Sequence, residues 1–260
     1  MYKQLMSVVL TFVFCLPALA QKDIFMKQKY HTDPIKVMGQ TQPAEDEIKS
    51  IWISKDKMRS DETDKSIIMR TDLQKMYMID HTKKQYQEMP MNLGEMMDQA
   101  MEEAEEEEGE EIPADNPFMK MAQAMMGQMK VSVTPTDETR KINNWNCKKY
   151  IFKLSMGMGT TESVIWATEE LKIDPEIYSQ FMASMFNTNQ QSNDKAVQQM
   201  AEEFKKIKGV MVLQESSTQM MGADVKSTVE MIEFKEGKAP AGSFDIPAGY
   251  EKVSFMESEE

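Results

Sequence analysis

Methionine is the residue type in this chain whose abundance and spacing could do unusual chemistry. The chain has 28 among 260 residues, many in close pairs: Met76/Met78, Met89/Met91, Met96/Met97, Met119/Met121, Met125/Met126, Met156/Met158 and Met220/Met221. Thioether sulfur is a soft ligand, and soft ligands select Cu(I). Met121, Met125 and Met129 would present three sulfurs at i, i+4 and i+8 on one face of a predicted helix. The same spacing also describes the buried stripe of an amphipathic helix, and spacing alone does not separate the two. Methionine is spread over predicted strands and helices alike, and neither His31 nor His81 falls in the helices. Both facts favour packing over copper. A third use is a ligand-binding hollow, because an unbranched, polarisable side chain re-packs around different apolar guests. Trp52, Met69, Met78, Met97, Met101, Met121, Met125, Phe152, Trp166, Met182 and Phe186 are the candidate lining residues. Taken singly, each reads more readily as ordinary core.

Other chemistry is sparse. The sequence has no nucleophile elbow, no phosphate-cradling glycine loop and no histidine spacing suited to zinc. Carboxylates abound, but a solvated run of them is not a positioned acid–base pair. The reading is therefore a binding protein that is not an enzyme and uses no cofactor. Cys147 has no disulfide partner once the leader is removed, and it reads as a small buried strand residue.

Two helix pairs would carry most of the methionines. Leu93, Met96, Met97, Ala100, Met101 and Ala104 repeat at helical offsets, and so do Phe118, Met121, Ala122, Met125, Met126 and Met129. Asn92 with Glu95 resembles a capping box, and Asn116 precedes a first-turn Pro117. This pair occupies 91–129, with an acidic loop inside it. A second pair is expected over 174–208. It opens at Asp174-Pro175, carries Tyr178, Phe181, Met182 and Met185, then Met200, Phe204 and Ile207, and stops at Gly209.

The rest reads as short strands with turn signals every eight to twelve residues, the pattern of an antiparallel meander. Examples are Asp23 to Tyr30, Ile35 to Thr41, Ile48 to Ser54, Ser66 to Thr71 and Lys75 to Asp80. Later come Lys130 to Thr134, Thr139 to Ile142, Lys148 to Leu154, Thr161 to Thr168, Val210 to Glu215 and Asp224 to Phe234. Helix pairs with apolar stripes must lie on that sheet, and a strongly bent sheet would leave a hollow beneath them.

Lys3, the apolar run Leu5 to Leu16 and Ala18-Leu19-Ala20 read as a signal peptide over 1–20, with cleavage before Gln21. Cys15 would serve a lipoprotein, but Phe14 stands before it where a small residue is wanted. No later stretch has the length of a transmembrane helix, so a periplasmic or secreted location is expected. The formal net charge is −13, and residues 102–115 alone carry nine acidic side chains and no basic one. That balance excludes nucleic acid as a partner, which needs a basic face. Within the acidic run the plain reading is a solvated loop. Such a loop could also dock a basic protein partner. It lacks the spaced Asp, Asn and Gly of a calcium loop. Residues 252–260 read as an acidic tail.

Several motifs together resemble a known family. They are Ile51-Trp52-Ile53 followed by Asp56-Lys57-Met58-Arg59, then Trp145-Asn146-Cys147-Lys148-Lys149-Tyr150, Glu162-Ser163-Val164-Ile165-Trp166, and the closing Phe244-Asp245-Ile246-Pro247-Ala248-Gly249-Tyr250. They resemble the envelope family called domain-of-unknown-function family 4412, which is similar to the LolA/LolB-like lipoprotein-carrier superfamily. The resemblance implies an antiparallel half-barrel whose concave face is plugged by helices and, in the carriers, holds acyl chains. The expected fold is thus α+β: one strongly bent antiparallel sheet over 21–251, with two helix-pair insertions on its concave face. The expected ligand is apolar or amphiphilic, a lipid or a lipidated protein.

Overall fold

The computed structural model describes residues 22–37, 40–91, 130–156, 159–171, 199, 202–220 and 223–254. β1 (Asp23–Thr32), buried at Ile24 and Met26, lies in the middle of a twelve-stranded sheet. On one side it pairs with β4 (Glu45–Ile53), on the other with β13 (Ala223–Gly237), both antiparallel. Between β1 and β4 a small separate hairpin joins β2 (Ile35–Val37) to β3 (Gln40–Gln42). From β4 a meander runs outward through β5 (Lys57–Asp61), β6 (Lys65–Arg70), β7 (Lys75–Asp80) and β8 (Gln85–Pro90). From β13 a second meander runs through β12 (Val210–Met220), β11 (Gly159–Thr168) and β10 (Trp145–Met156) to the edge strand β9 (Lys130–Ile142). The last strand, β14 (Glu251–Lys252), joins β8 in parallel.

The α+β expectation is corrected here. The described fold is almost wholly sheet, with one short helical stretch ending at Phe204. It contains no two helix-pair insertions. The Met-rich segment expected to be helical over 91–129, and most of the one expected over 174–208, lie outside the described residues, as does the leader at 1–20. Near the end of the second segment the chain leaves helix after Phe204 and turns at Lys205 and Lys206, before Gly209. Strands are also longer than expected. The strand expected over Lys130 to Thr134 runs on through Pro135 to Ile142 as β9. An edge strand needs no outward amide at that position, and β9 bulges just beyond it, where Thr136, Asp137 and Glu138 face the single residue Lys149.

The sheet divides at one end. β12 and β13 pair only from Leu213/Glu230 to Met220/Ala223. Beyond that, Val210 to Leu213 stay with β11, while Met231 to Gly237 stay with β1. The first core cluster fills the wedge. Ile24, Met26, Ile51, Ile53 and Met58 come from one wall, and Ile142, Cys147, Trp166, Val210 and Val212 from the other. Asn143, in the β9–β10 turn, spans the walls. Its Nδ2 donates to Met231 O at 3.2 Å and to Glu230 Oε1 at 3.1 Å. In a flat sheet β10 and β13 would stand about 14 Å apart, three strand spacings, so the outer strands curl back toward the centre.

A second cluster, with Val131, Val133, Tyr150, Phe152, Ile165, Ala167 and Ile207, lies over β9–β11. Glu203 ties it to the sheet edge by accepting the Val133 amide at 2.6 Å, an N–H that an edge strand cannot give to another strand. A third cluster, Ile68, Tyr77 and Ile79, is covered by Phe244, Ile246 and Tyr250 of the C-terminal segment.

Several carboxylates sit below their usual range. The Thr82 hydroxyl and then the Lys83 amide hold Asp80 down, Lys75 holds Glu88, and Lys206, followed by the Val133 amide, holds Glu203. A group whose folded value is depressed adds stability above its unfolded value, and that stability is lost as pH falls through the folded one. Resistance to urea is expected to be level near neutrality and to decline below about pH 4. Unfolding midpoints measured from pH 7 down to pH 3 check this, and a midpoint that rises on acidification would contradict it.

Candidate functional site: a methionine-lined wall and its wedge

Strand register places methionines side by side. Met58 of β5 stands opposite Met69 of β6, Met69 opposite Met76 of β7, and Met76 opposite Met89 of β8. Ile53 and Ile24 continue the row inward to β1. Two residues along, on the same face, runs a second row: Met26, Ile51, Ser60, Ile67, Met78 and Gln87. Cross-strand neighbours have Cβ atoms about 4.5–5.5 Å apart, so the four methionines of the first row form one continuous thioether surface. Its burial is graded. Met58 and Met89 are buried, Met69 and Met76 half-buried, and Met78 is 37% exposed.

The wedge continues this wall. Met69 packs against the first core cluster from one side, as do Val164, Leu171 and Leu213 from the other. Trp166, inside the cluster, is 6% exposed, and its Nε1 is a buried nitrogen with no hydrogen-bond partner among the described residues. The Arg140 guanidinium lies 4.4 Å from the Trp166 ring centre and the Lys149 ammonium 6.0 Å. Lys149 is engaged by both oxygens of Glu138, at 2.9 and 3.1 Å.

No family model matches the chain, and no curated protein sequence does. Two solved structures are among those to which it is distantly similar. One is PNGF-II, with a TM-score of 0.35 and 14% identity over 90% of this chain and 31% of that one. The other is described as an outer membrane lipoprotein-sorting protein domain from Vibrio parahaemolyticus, with a TM-score of 0.31 and 6% identity over 86% of this chain and 89% of that one. Both scores are too low to carry fold or function from those proteins to this one. The resemblance to family 4412 read from the motifs has no matching family model behind it.

The expected lining residues part company in the structure. Met69 and Met78 share the methionine wall, and Trp166 stands in the wedge. Trp52 is on the opposite face of β4 from Ile51 and Ile53, tilted against Phe25 with ring centres 5.0 Å apart. Phe152 belongs to the second cluster and stacks on Phe204 at 5.3 Å. Met97, Met101, Met121, Met125, Met129, Met182 and Phe186 lie outside the described residues. Met58, Met76, Met89 and Ile67 join the wall although none is among the expected lining residues. The close pair Met76/Met78 was a signal for it, but alternation within one strand does not say which neighbour lies opposite. Cys147 is buried, its Sγ donates to Trp145 O at 3.6 Å, and burial pushes its thiol up.

Sequence reading also missed a polar network on the other face. Ser66 Oγ donates to Asp61 Oδ1 at 2.5 Å and receives Arg59 Nη2 at 3.1 Å. With its only proton committed, Ser66 can meet His81 Nε2, 2.6 Å away, only as acceptor. His81 Nδ1 then faces Tyr250 Oη at 2.9 Å, and Arg59 Nη1 donates to Ser243 O at 3.2 Å. A Ser–His contact of this kind invites comparison with a nucleophile and its base. Here the hydroxyl is 1% exposed and hydrogen-bonded on every side, and the arrangement clasps the C-terminal segment to β5–β7.

Proposed function

We propose that this chain is an exported envelope protein that binds an apolar or amphiphilic guest, a lipid or an acyl-bearing partner, against its methionine wall. Its mechanism is binding without bond chemistry. The observation that carries the reading is the cross-strand row Met58–Met69–Met76–Met89 with the exposed Met78 beside it. A core closed on itself has no use for a graded apolar surface of soft side chains, whereas a wall that re-packs around guests does.

The test is native mass spectrometry of the mature protein purified from its own envelope, followed by solvent extraction of what co-purifies. A near-stoichiometric acyl species is expected, and Met76→Glu, which sets a charge in the wall, should lose at least about nine-tenths of it, the effect of about 1.4 kcal/mol. A clean apo mass for the wild type would end this reading. Anaerobic Cu(I) offered to the same sample serves as the competing arm: copper uptake without lipid would assign the thioethers to metal. Docking of a basic protein through the acidic run is separated by deleting 102–115, which leaves guest uptake intact under the present reading.

A further inference from the structure

We propose that Arg140 and Trp166 form the receptor for an anionic head group, a carboxylate or phosphate, on the guest of the methionine wall. The inference rests on the binding function proposed above. It starts from an unmet donor. Buried polar groups in native proteins are nearly always paired, and an exception calls for an explanation such as an absent ligand. Among the described residues the buried side-chain nitrogen without an acceptor is Trp166 Nε1, and it lies inside the wedge against which Met69 packs.

The second observation is charge. Arg140 stands on the edge strand β9, exposed, with its guanidinium over the Trp166 ring, and it has no ion-pair partner among the described residues. Its planar fork of donors matches carboxylate and phosphate oxygens. Two carboxylates stand nearby, and neither is bonded to it. Lys149 is neutralised by Glu138. Glu170 is held by the Asn146 amide and side chain, at 3.3 and 2.6 Å. Cys147, the cross-strand neighbour of Arg140, is buried with its thiol pushed up. Arg140 is thus the cation at the indole that no described carboxylate engages. The two donors have complementary duties. Arg140 supplies charge over the ring face, and the indole N–H supplies a directed hydrogen bond in the ring plane, inside the cluster against which Met69 of the wall packs.

Titration calorimetry with oleate, its methyl ester and oleoyl lysophosphatidate, each below its aggregation concentration, tests this. The three share one chain and differ at the head. The wild type should bind the two anions about tenfold or more tighter than the ester, the ratio expected of one charge-assisted contact. Arg140→Gln should bring both anions down to the affinity of the ester and leave the ester unchanged. Trp166→Phe keeps the ring and removes the N–H, and it should take away part of the same preference. A stronger preference for oleate or for the lysophosphatidate tells carboxylate from phosphate. Equal binding of all three by the wild type, or a preference that survives Arg140→Gln, overturns the receptor while leaving the methionine wall standing. No binding of any of them overturns the wall itself.

Discussion

Replacing Gly209 by alanine is expected to destabilise the protein by about 4 kcal/mol. Gly209 sits at φ +87°, a left-handed conformation that a side chain disfavours. The space is closed as well. A Cβ there would stand 2.0 Å from the Thr168 carbonyl oxygen and 2.4 Å from its carbon. Both are backbone atoms at the end of β11, and Thr168 is fully buried, so neither can swing aside. Relief must come from residues 202–208 lifting off the sheet. That would pull Ile207 and Phe204 from the second cluster, break the Lys208 amide bond to Tyr150 Oη and free the Val133 amide from Glu203. Urea unfolding of the single variant gives the number. A loss under about 1 kcal/mol would show that this contact yields more readily than its backbone atoms allow.

Ile68→Ala should cost about 3 kcal/mol, the middle of the range for deleting a buried aliphatic side chain. Ile68 is 0% exposed at the centre of the third cluster. Its effect should also be local in a telling way. Phe244, Ile246 and Tyr250 rest on this cluster, so a cavity beneath them loosens the C-terminal segment before the sheet. Limited proteolysis is expected to cut within 239–250 of the variant under conditions that leave the wild type whole. Equal cutting of both, despite the lower stability, would mean that the polar clasp from Arg59 to Tyr250 holds the segment unaided.

Local pattern in the sequence found most strands but not their partners. Lys75 to Asp80 is a strand over the expected span, and the Val210 and Asp224 segments are hairpin neighbours. The reason is physical: period-two alternation is a property of consecutive residues. Pairing is not. Nothing near Asp23 says that it meets Gly237, and the methionine row depends on four registers that no single strand encodes. Trp52 shows the cost. It is among the expected lining residues, but parity with Ile51 and Ile53 puts it on the other face. Ser66 and His81 were invisible for a related reason, since their contact spans a strand pair and is completed by Tyr250, brought close by the C-terminal segment. The helical readings failed differently. The α+β fold rested on apolar stripes that lie, for the most part, outside the described residues, and within those residues backbone pairing in the sheet dominates.

The central ladder joins the chain's two ends, and this sets an order of events during synthesis. β1 finds β4 as soon as residues 45–53 exist, and the meander to β8 can follow. The other side of β1 waits for β13, some two hundred residues later, and such distant pairings form slowly. Throughout that delay β1 is a bare rim able to recruit a stray strand from another molecule. The sequence guards it with Lys27 and Lys29, whose charges discourage such additions, and Lys27 later meets Glu233 when the proper partner arrives. A chain cut short before residue 223 would keep that rim for good and should aggregate through it.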